Sequence, residues 1–297
     1  NFFINLYFII FIMDIEKSIL EAIRLAETTI PEDVYKHLKM AYSMEENEIS
    51  KSQLQSILDN VEYAREKQLP ICQDTGTQTF FVDVGFDFPF KKELVNSIVN
   101  AVSKATQNYY IRPNAVDPFS GKNPGNNVGR FIPYINWFLR DGDDATINVL
   151  PKGGGSENAS ALAMLKPGEG IKGIKKFVID QLVRAGANPC PPTIIGLGIG
   201  GGSDLSLIIA KRALLRPLGQ RHEEKRIADL ELELLDLANK TGVGTMGWGG
   251  KVSVLDVHIE YAYRHPASLP VGMVVQCWAD RRSKVHIDSK GNVEVVQ

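Results

Sequence analysis

Residues 69–84 read Leu69-Pro70-Ile71-Cys72-Gln73-Asp74-Thr75-Gly76-Thr77-Gln78-Thr79-Phe80-Phe81-Val82-Asp83-Val84. The stretch marks a change of period. Before Pro70, apolar residues recur at helical spacing. After Gly76, a β-branched and aromatic run reads as a strand. Between the two lies a tight polar loop that sets a thiol, an amide and a carboxylate side by side.

Working back towards the start, Ile15, Ile19, Ala22, Ile23 and Ala26 share one face of a helix over 14–29. Pro31 suits the first position of a second helix reaching about Met44. Ser50 and Gln53 form a capping-box pattern ahead of Leu54, Ile57, Leu58 and Val61. Asn1 to Ile12 are almost wholly apolar and uncharged, too short to span a bilayer and without the basic start of a signal peptide. They are read as a start-site artefact or disordered tail, with the functional chain beginning at Met13.

Working forward, the pattern predicts a strand near 79–85, a helix near 91–108 and a turn-rich loop over 112–129. Strands at 130–138 and 144–150 follow, and then a glycine loop, Pro151 to Asn158. A helix closed by Gly186, a short buried strand over 193–199, a Gly200-Gly201-Gly202 turn that leaves Ser203 or Asp204 to cap a helix, and a charged helix over 222–240 come next. The remainder is β-rich: Lys251–Tyr261, Val271–Trp278, Val285–Asp288 and Val293–Val296. The fold class expected is α+β, a helical N-terminal part followed by a mixed α/β domain. It is treated as one domain over 13–297, with 13–70 as a possible helical subdomain.

The 297 residues suffice for a sizeable core, and 44% hydrophobic with 23% charged residues is a globular composition. A net charge of −2 gives no general attraction to nucleic acid or acidic membranes. Three cysteines do not make a secreted disulfide framework, which favours a reducing, cytoplasmic setting.

Cys72, Cys190 and Cys277 fit no zinc-finger or ferredoxin spacing. One reading makes them unrelated core thiols. Their flanks argue otherwise: Gln73-Asp74 follows the first, and Asn188-Pro189 and Pro191-Pro192 enclose the second. Three thiolates without a nearby fourth can hold a cubane cluster and leave one iron open as a Lewis acid. Gly196 to Gly201 matches the dinucleotide fingerprint formally, but it lacks the βαβ context and the later acidic residue. Lys152 with the amides of the following glycines can cradle a carboxylate, or can be a plain turn. Arg112, in a proline-fixed loop, offers a fork of donors for a carboxylate. Asp74 and His265 are the acid/base candidates, and His258 on a strand has a structural alternative.

Taken together, Ile71 to Gly76, Arg112-Pro113, Asn123-Pro124-Gly125-Asn126-Asn127, Lys152 to Asn158 and Gly198 to Ser203 resemble the α subunit of class I (iron–sulfur) fumarate hydratase. That family also includes the α subunit of L(+)-tartrate dehydratase. The resemblance runs from Met13 nearly to the end. It implies a [4Fe-4S] cluster on Cys72, Cys190 and Cys277, with Asp74 and His265 catalytic. Gln73, Arg112 and Gly155 would bind a small dicarboxylate, and the glycine-loop reading adds Lys152 and Gly154. In single-chain members a further C-terminal domain completes the site. This chain ends at Gln297, so the resemblance implies a separate β subunit and an α2β2 assembly. Charge balance agrees, since Arg112 and Lys152 are few cations for a dianion. The expected reaction is reversible hydration of fumarate to (S)-malate, preferred because central metabolism needs that step more generally. L(+)-tartrate dehydration to oxaloacetate is the alternative. A non-catalytic iron–sulfur sensor or electron carrier is a reading of a different class.

Overall fold

The structure is a computed structural model describing the backbone of residues 2–297 and the side chains from Asp14 onward. The reading of residues 1–12 therefore falls on side chains outside the described ones. In chain order the elements are α1 (Phe2–Thr28), α2 (Glu32–Met44), α3 (Glu48–Lys67), β1 (Thr77–Gly85), α4 (Lys91–Asn108), β2 (Tyr134–Arg140) and β3 (Ala145–Lys152). They continue with α5 (Gly154–Glu157), β4 (Ala161–Leu165), α6 (Gly170–Ala185), β5 (Thr193–Gly201), α7 (Ser203–Ala213), α8 (Lys225–Asn239), β6 (Val254–Arg264), β7 (Leu269–Gln276), β8 (Ser283–Ile287) and β9 (Val293–Val296). The architecture is α+β, as expected. No helix among the described residues is long and apolar enough to cross a membrane.

Two compact units form. The first comprises residues 1–31, 61–152 and 281–297. Its sheet has the order β2-β1-β3-β8-β9, with β1 and β2 parallel and the other pairs antiparallel. Phe80, Val82 and Val84 alternate onto one face of β1 and meet Ile15, Ile19 and Ile23 of α1 and Leu94, Ile98 and Val102 of α4. Each such buried side chain contributes about 1.5–3 kcal/mol. Thr77 pairs with Lys152 across β1 and β3, so the loop before β1 opens at the end of the sheet where β3 finishes.

The second unit comprises residues 32–60 and 153–280, with a sheet of order β4-β7-β5-β6. β5 explains the glycine fingerprint without a nucleotide. Ile195 and Leu197 face α6 and α8 in the core, while Gly196 and Gly198 face α7. A Cβ on Gly196 would lie 2.1 Å from the Ala210 carbonyl oxygen, and one on Gly198 1.9 Å from that of Ser206. These glycines let helix backbone lie directly on the sheet.

Several expectations shift. The cap of α3 is Asn47, whose Oδ1 accepts the N–H groups of Ile49 (3.0 Å) and Ser50 (3.1 Å). Ser50 lies inside the helix, and its hydroxyl donates to the Gly249 carbonyl. Gly202, not Ser203 or Asp204, is the N-cap of α7. β2 starts at Tyr134 rather than at 130, because residues 129–132 close a small turn, with Gly129 and Ile132 bridged and Phe131 left-handed at φ 61°. The glycine loop after Pro151 is the end of β3 followed by the one-turn helix α5. Strand β4 follows it and carries no clear period in the sequence.

Candidate functional site

In the first unit, loop 71–76 is held on every side except at Cys72 and Gln73. The Ile71 N–H donates to the Glu27 carbonyl at 2.9 Å. Asp74 Oδ1 accepts the Gly76 N–H at 2.9 Å, an Asx turn, and the Asn114 amide at 3.4 Å. The Asp74 carbonyl accepts from the Arg281 guanidinium at 3.0 Å. Thr75 Oγ1 accepts the Arg112 N–H at 3.0 Å, and the Gly76 carbonyl accepts the Asn114 amide at 2.9 Å. Buried Asn127 supports the facing loop. Its Oδ1 accepts the N–H groups of Asn114 (2.7 Å) and Ala115 (3.1 Å), and its amide donates to the Arg112 carbonyl at 2.9 Å.

The backbone around Arg112 is thus fixed while its side chain is exposed. Neither the Arg112 guanidinium nor the exposed Gln73 amide has a hydrogen-bond partner among the described residues. Lys152 is buried, with its backbone opposite Thr77. A cavity of about 620 Å³ runs beside this corner, lined by Thr77, Asn114, Asp117, Lys122 and Arg130 among others. Below the loop, Glu27 and Arg281 form a buried ion pair at 2.8 Å. Burial holds the Glu27 carboxyl above its ordinary value, against the pull of Arg281 and Gln78 in the other direction.

In the second unit, Cys190 takes a left-handed φ of 53° at a turn closed by its own N–H on the Ala187 carbonyl, 3.0 Å away. Its carbonyl accepts the Trp278 N–H at 3.3 Å, which brings Cys277 alongside. α5 joins them: the Ser156 hydroxyl meets Gln276 Oε1 at 3.5 Å, and a Cβ on Gly155 would lie 3.2 Å from the Asn188 carbonyl oxygen. Gly154, Gly155, Cys190 and Cys277 therefore gather at one end of the β5–β7 pair. His265 does not join them. It is exposed in the turn after β6, and the eight residues of β7, at about 3.3 Å each, separate it from Cys277. His258 is fully buried, between the Ala213 carbonyl (3.2 Å) and Asp256 (3.1 Å).

Sequence reading missed Asn114, Asn127, Glu27 and Arg281. Asn127 stood in a run read as turn chemistry and as part of the family resemblance, with no role of its own, and nothing local distinguishes Glu27 from the other helix acids. Thr245 was missed as well. It is fully buried with no partner for its hydroxyl among the described residues, and the next residue, Met246, donates its N–H to the Pro191 carbonyl at 2.7 Å.

The family model for fumarate hydratase (Fumerase) matches residues 16–286 of this chain. The chain belongs to the fumarate hydratase family. A Methanocaldococcus jannaschii protein, provisionally named L(+)-tartrate dehydratase subunit alpha, is 46% identical over 284 residues, covering 94% of this chain and 100% of the relative. Proteins named L(+)-tartrate dehydratase subunit alpha from Escherichia coli K12 and Shigella sonnei are each 38% identical over 267 residues, 89% of this chain and 88% of theirs. The chain is thus a member of a hydro-lyase family whose matched relatives are named as alpha subunits.

The fit to an iron–sulfur cluster can be judged from the donors. All three cysteines are half-buried and outside any disulfide. Cys190 and Cys277 are neighbours, and Met246, the residue after Thr245 with its unpartnered hydroxyl, donates its N–H to the carbonyl of Pro191, the residue after Cys190. That chemistry fits a thiolate-held group. No set of three or more His, Cys, Asp or Glu side chains placed to hold a metal ion occurs among the described residues. Cys72 belongs to the first unit and the other two cysteines to the second.

Proposed function

We propose that the chain is the cluster-bearing subunit of a class I hydro-lyase, interconverting fumarate and (S)-malate in the cytoplasm. The observation that carries this reading is the pairing of Cys190 with Cys277 beside the Gly154–Gly155 turn, in a chain of the fumarate hydratase family. Cys72, Cys190 and Cys277 would hold a [4Fe-4S] cluster, which when bound supplies a Lewis-acidic iron at its open corner.

The chain's own residues do the rest. The Arg112 guanidinium, exposed on pinned backbone, and the exposed Gln73 amide bind carboxylate oxygens of the substrate. Gly154 and Gly155 offer backbone amides at the second unit's corner. Asp74, oriented through one carboxylate oxygen by Gly76 and Asn114, holds or moves the proton lost from carbon. His265 gains no support for a relay role from its place beyond β7. Buried Lys152 and exposed Arg112 are few cations for a dianion, which supports a separate β subunit, in an α2β2 assembly, bringing more.

L(+)-tartrate, differing by one hydroxyl, is the second reading, and the names of the matched relatives favour it. The test is anaerobic co-purification with the partner subunit, then parallel assay on malate, fumarate and L-tartrate. Turnover of malate and fumarate with little tartrate activity is expected. Dominant tartrate turnover moves the assignment to the second reading, and no turnover with an intact cluster sinks both.

A further inference from the structure

Loop 71–76 is anchored from beneath by two residues that touch no exposed surface. Glu27 on α1 is 0% and Arg281, just before β8, is 1% exposed. They form an ion pair at 2.8 Å, and Gln78 Nε2 donates to the other Glu27 oxygen at 2.7 Å. Both also reach the loop. The Glu27 carbonyl takes the Ile71 N–H at 2.9 Å, and a second Arg281 nitrogen donates to the Asp74 carbonyl at 3.0 Å. Cys72 and Gln73 thus lie between two backbone anchors set by one buried pair. A pair of charges inside a core is weak support for stability when apolar side chains could fill the same space. Its worth here is geometric, because a guanidinium fork can bind a carboxylate and a backbone carbonyl at once, in fixed directions.

We infer that Glu27 and Arg281 are positioning residues: the buried pair fixes the backbone on both sides of Cys72-Gln73 and so sets the Cys72 thiol and Asp74 carboxylate in place for catalysis. The inference rests on the proposed roles of Cys72 and Asp74.

The decisive variant is Arg281→Lys. It keeps the buried charge opposite Glu27 but has no second arm for the Asp74 carbonyl. Glu27→Gln, of the same shape, removes only the anion that steadies Arg281 and leaves the carbonyl that holds Ile71. Two measurements are made on the full chain. In the first, the chelator-treated, reduced chain is alkylated and the rate is followed separately at each cysteine. Arg281→Lys should accelerate Cys72 about tenfold through local loosening, while Cys190 and Cys277 keep wild-type rates. In the second, the anaerobic complex with its partner subunit should lose about 10–100-fold in kcat with KM within about threefold, as expected for misplaced reacting groups. Glu27→Gln should move both readouts the same way by less, and it carries the test if Arg281→Lys does not fold.

Equal acceleration of all three thiols would mean general loosening and overturns the inference. So does a folded variant in which Cys72 reactivity or kcat is unchanged. If the wild-type complex turns over none of the substrates, the functional reading fails, while the alkylation rates still decide whether the pair positions Cys72.

Discussion

At the scale of single residues, the corner around Cys72 separates two jobs that the sequence places two positions apart. Cys72 is half-buried with no role in holding the loop, whereas Asp74 ties its own loop through Gly76 and Asn114. Cys72→Ser should therefore leave the fold intact and remove the visible absorbance of the cluster together with activity. Full activity with an unchanged spectrum would refute the metal assignment. Asp74→Asn keeps an oxygen for the Gly76 turn but cannot take up a proton as a carboxylate does. It should retain the spectrum and lose about 100- to 10,000-fold in turnover, the usual range for a general acid or base. If the spectrum goes as well, Asp74 is structural. Asn127 has a complementary duty, since it satisfies the Arg112 carbonyl and the N–H groups of Asn114 and Ala115.

At the scale of elements, the loops and motifs could be read in the sequence but most of the contacts that hold them could not, and the failures have physical causes. α4 and β9 have the bounds expected, because their periods run uninterrupted from end to end. α3 begins earlier than the capping box suggests, because Asn47 accepts the first free N–H groups of the helix while the Ser50 hydroxyl is turned to the Gly249 carbonyl. The Cys72 loop, the Arg112 loop and the three cysteines were visible as motifs. The Glu27–Arg281 pair was not, since its partners come from opposite ends of the chain and neither has a marked local context. The glycines of β5 were legible as a motif but open to the wrong meaning, which only α7 resolves. A methyl group on Gly198 would strike the Ser206 carbonyl, which is helix backbone and cannot rotate away. Gly198→Ala should thus cost about 3 kcal/mol, the upper end of overpacking, lowering Tm by roughly 6–12 °C. Gly168→Ala is the control, because nothing lies within 4 Å of the added carbon. Equal melting of the two variants would remove the packing explanation.

At the scale of the whole molecule, the two units carry buried carboxylates that respond to acid in opposite directions. In the second unit Asp256 is 1% exposed. Burial alone would raise its pKa, but His258, Arg221 and the Gly219 N–H outweigh burial and hold it well below the ordinary value of 3.8. A depressed carboxylate gives stability that is present above its unfolded-state value and lost as pH falls towards the folded one. In the first unit Glu27 is raised above 4.5. Its contribution has the other sign: it is present below the unfolded value and lost as pH rises through the folded one. Asp117, Asp144 and Asp288 of the first unit are depressed too, but they lie at the surface, where solvent screens them. Acid should therefore loosen the second unit first, beginning as pH drops below 3.8. The three tryptophans can report this, since Trp137 lies in the first unit and Trp248 and Trp278 in the second. Fluorescence of Trp248→Phe/Trp278→Phe follows the first unit, and that of Trp137→Phe follows the second. The second-unit signal should move at the higher pH. Asp256→Asn in the Trp137→Phe background should flatten that dependence, at a loss of about 3–5 kcal/mol at neutral pH from breaking a buried charged network. Coincident acid transitions, or a pH dependence that Asp256→Asn leaves unchanged, would show that the Asp256 network does not set the acid limit of its unit.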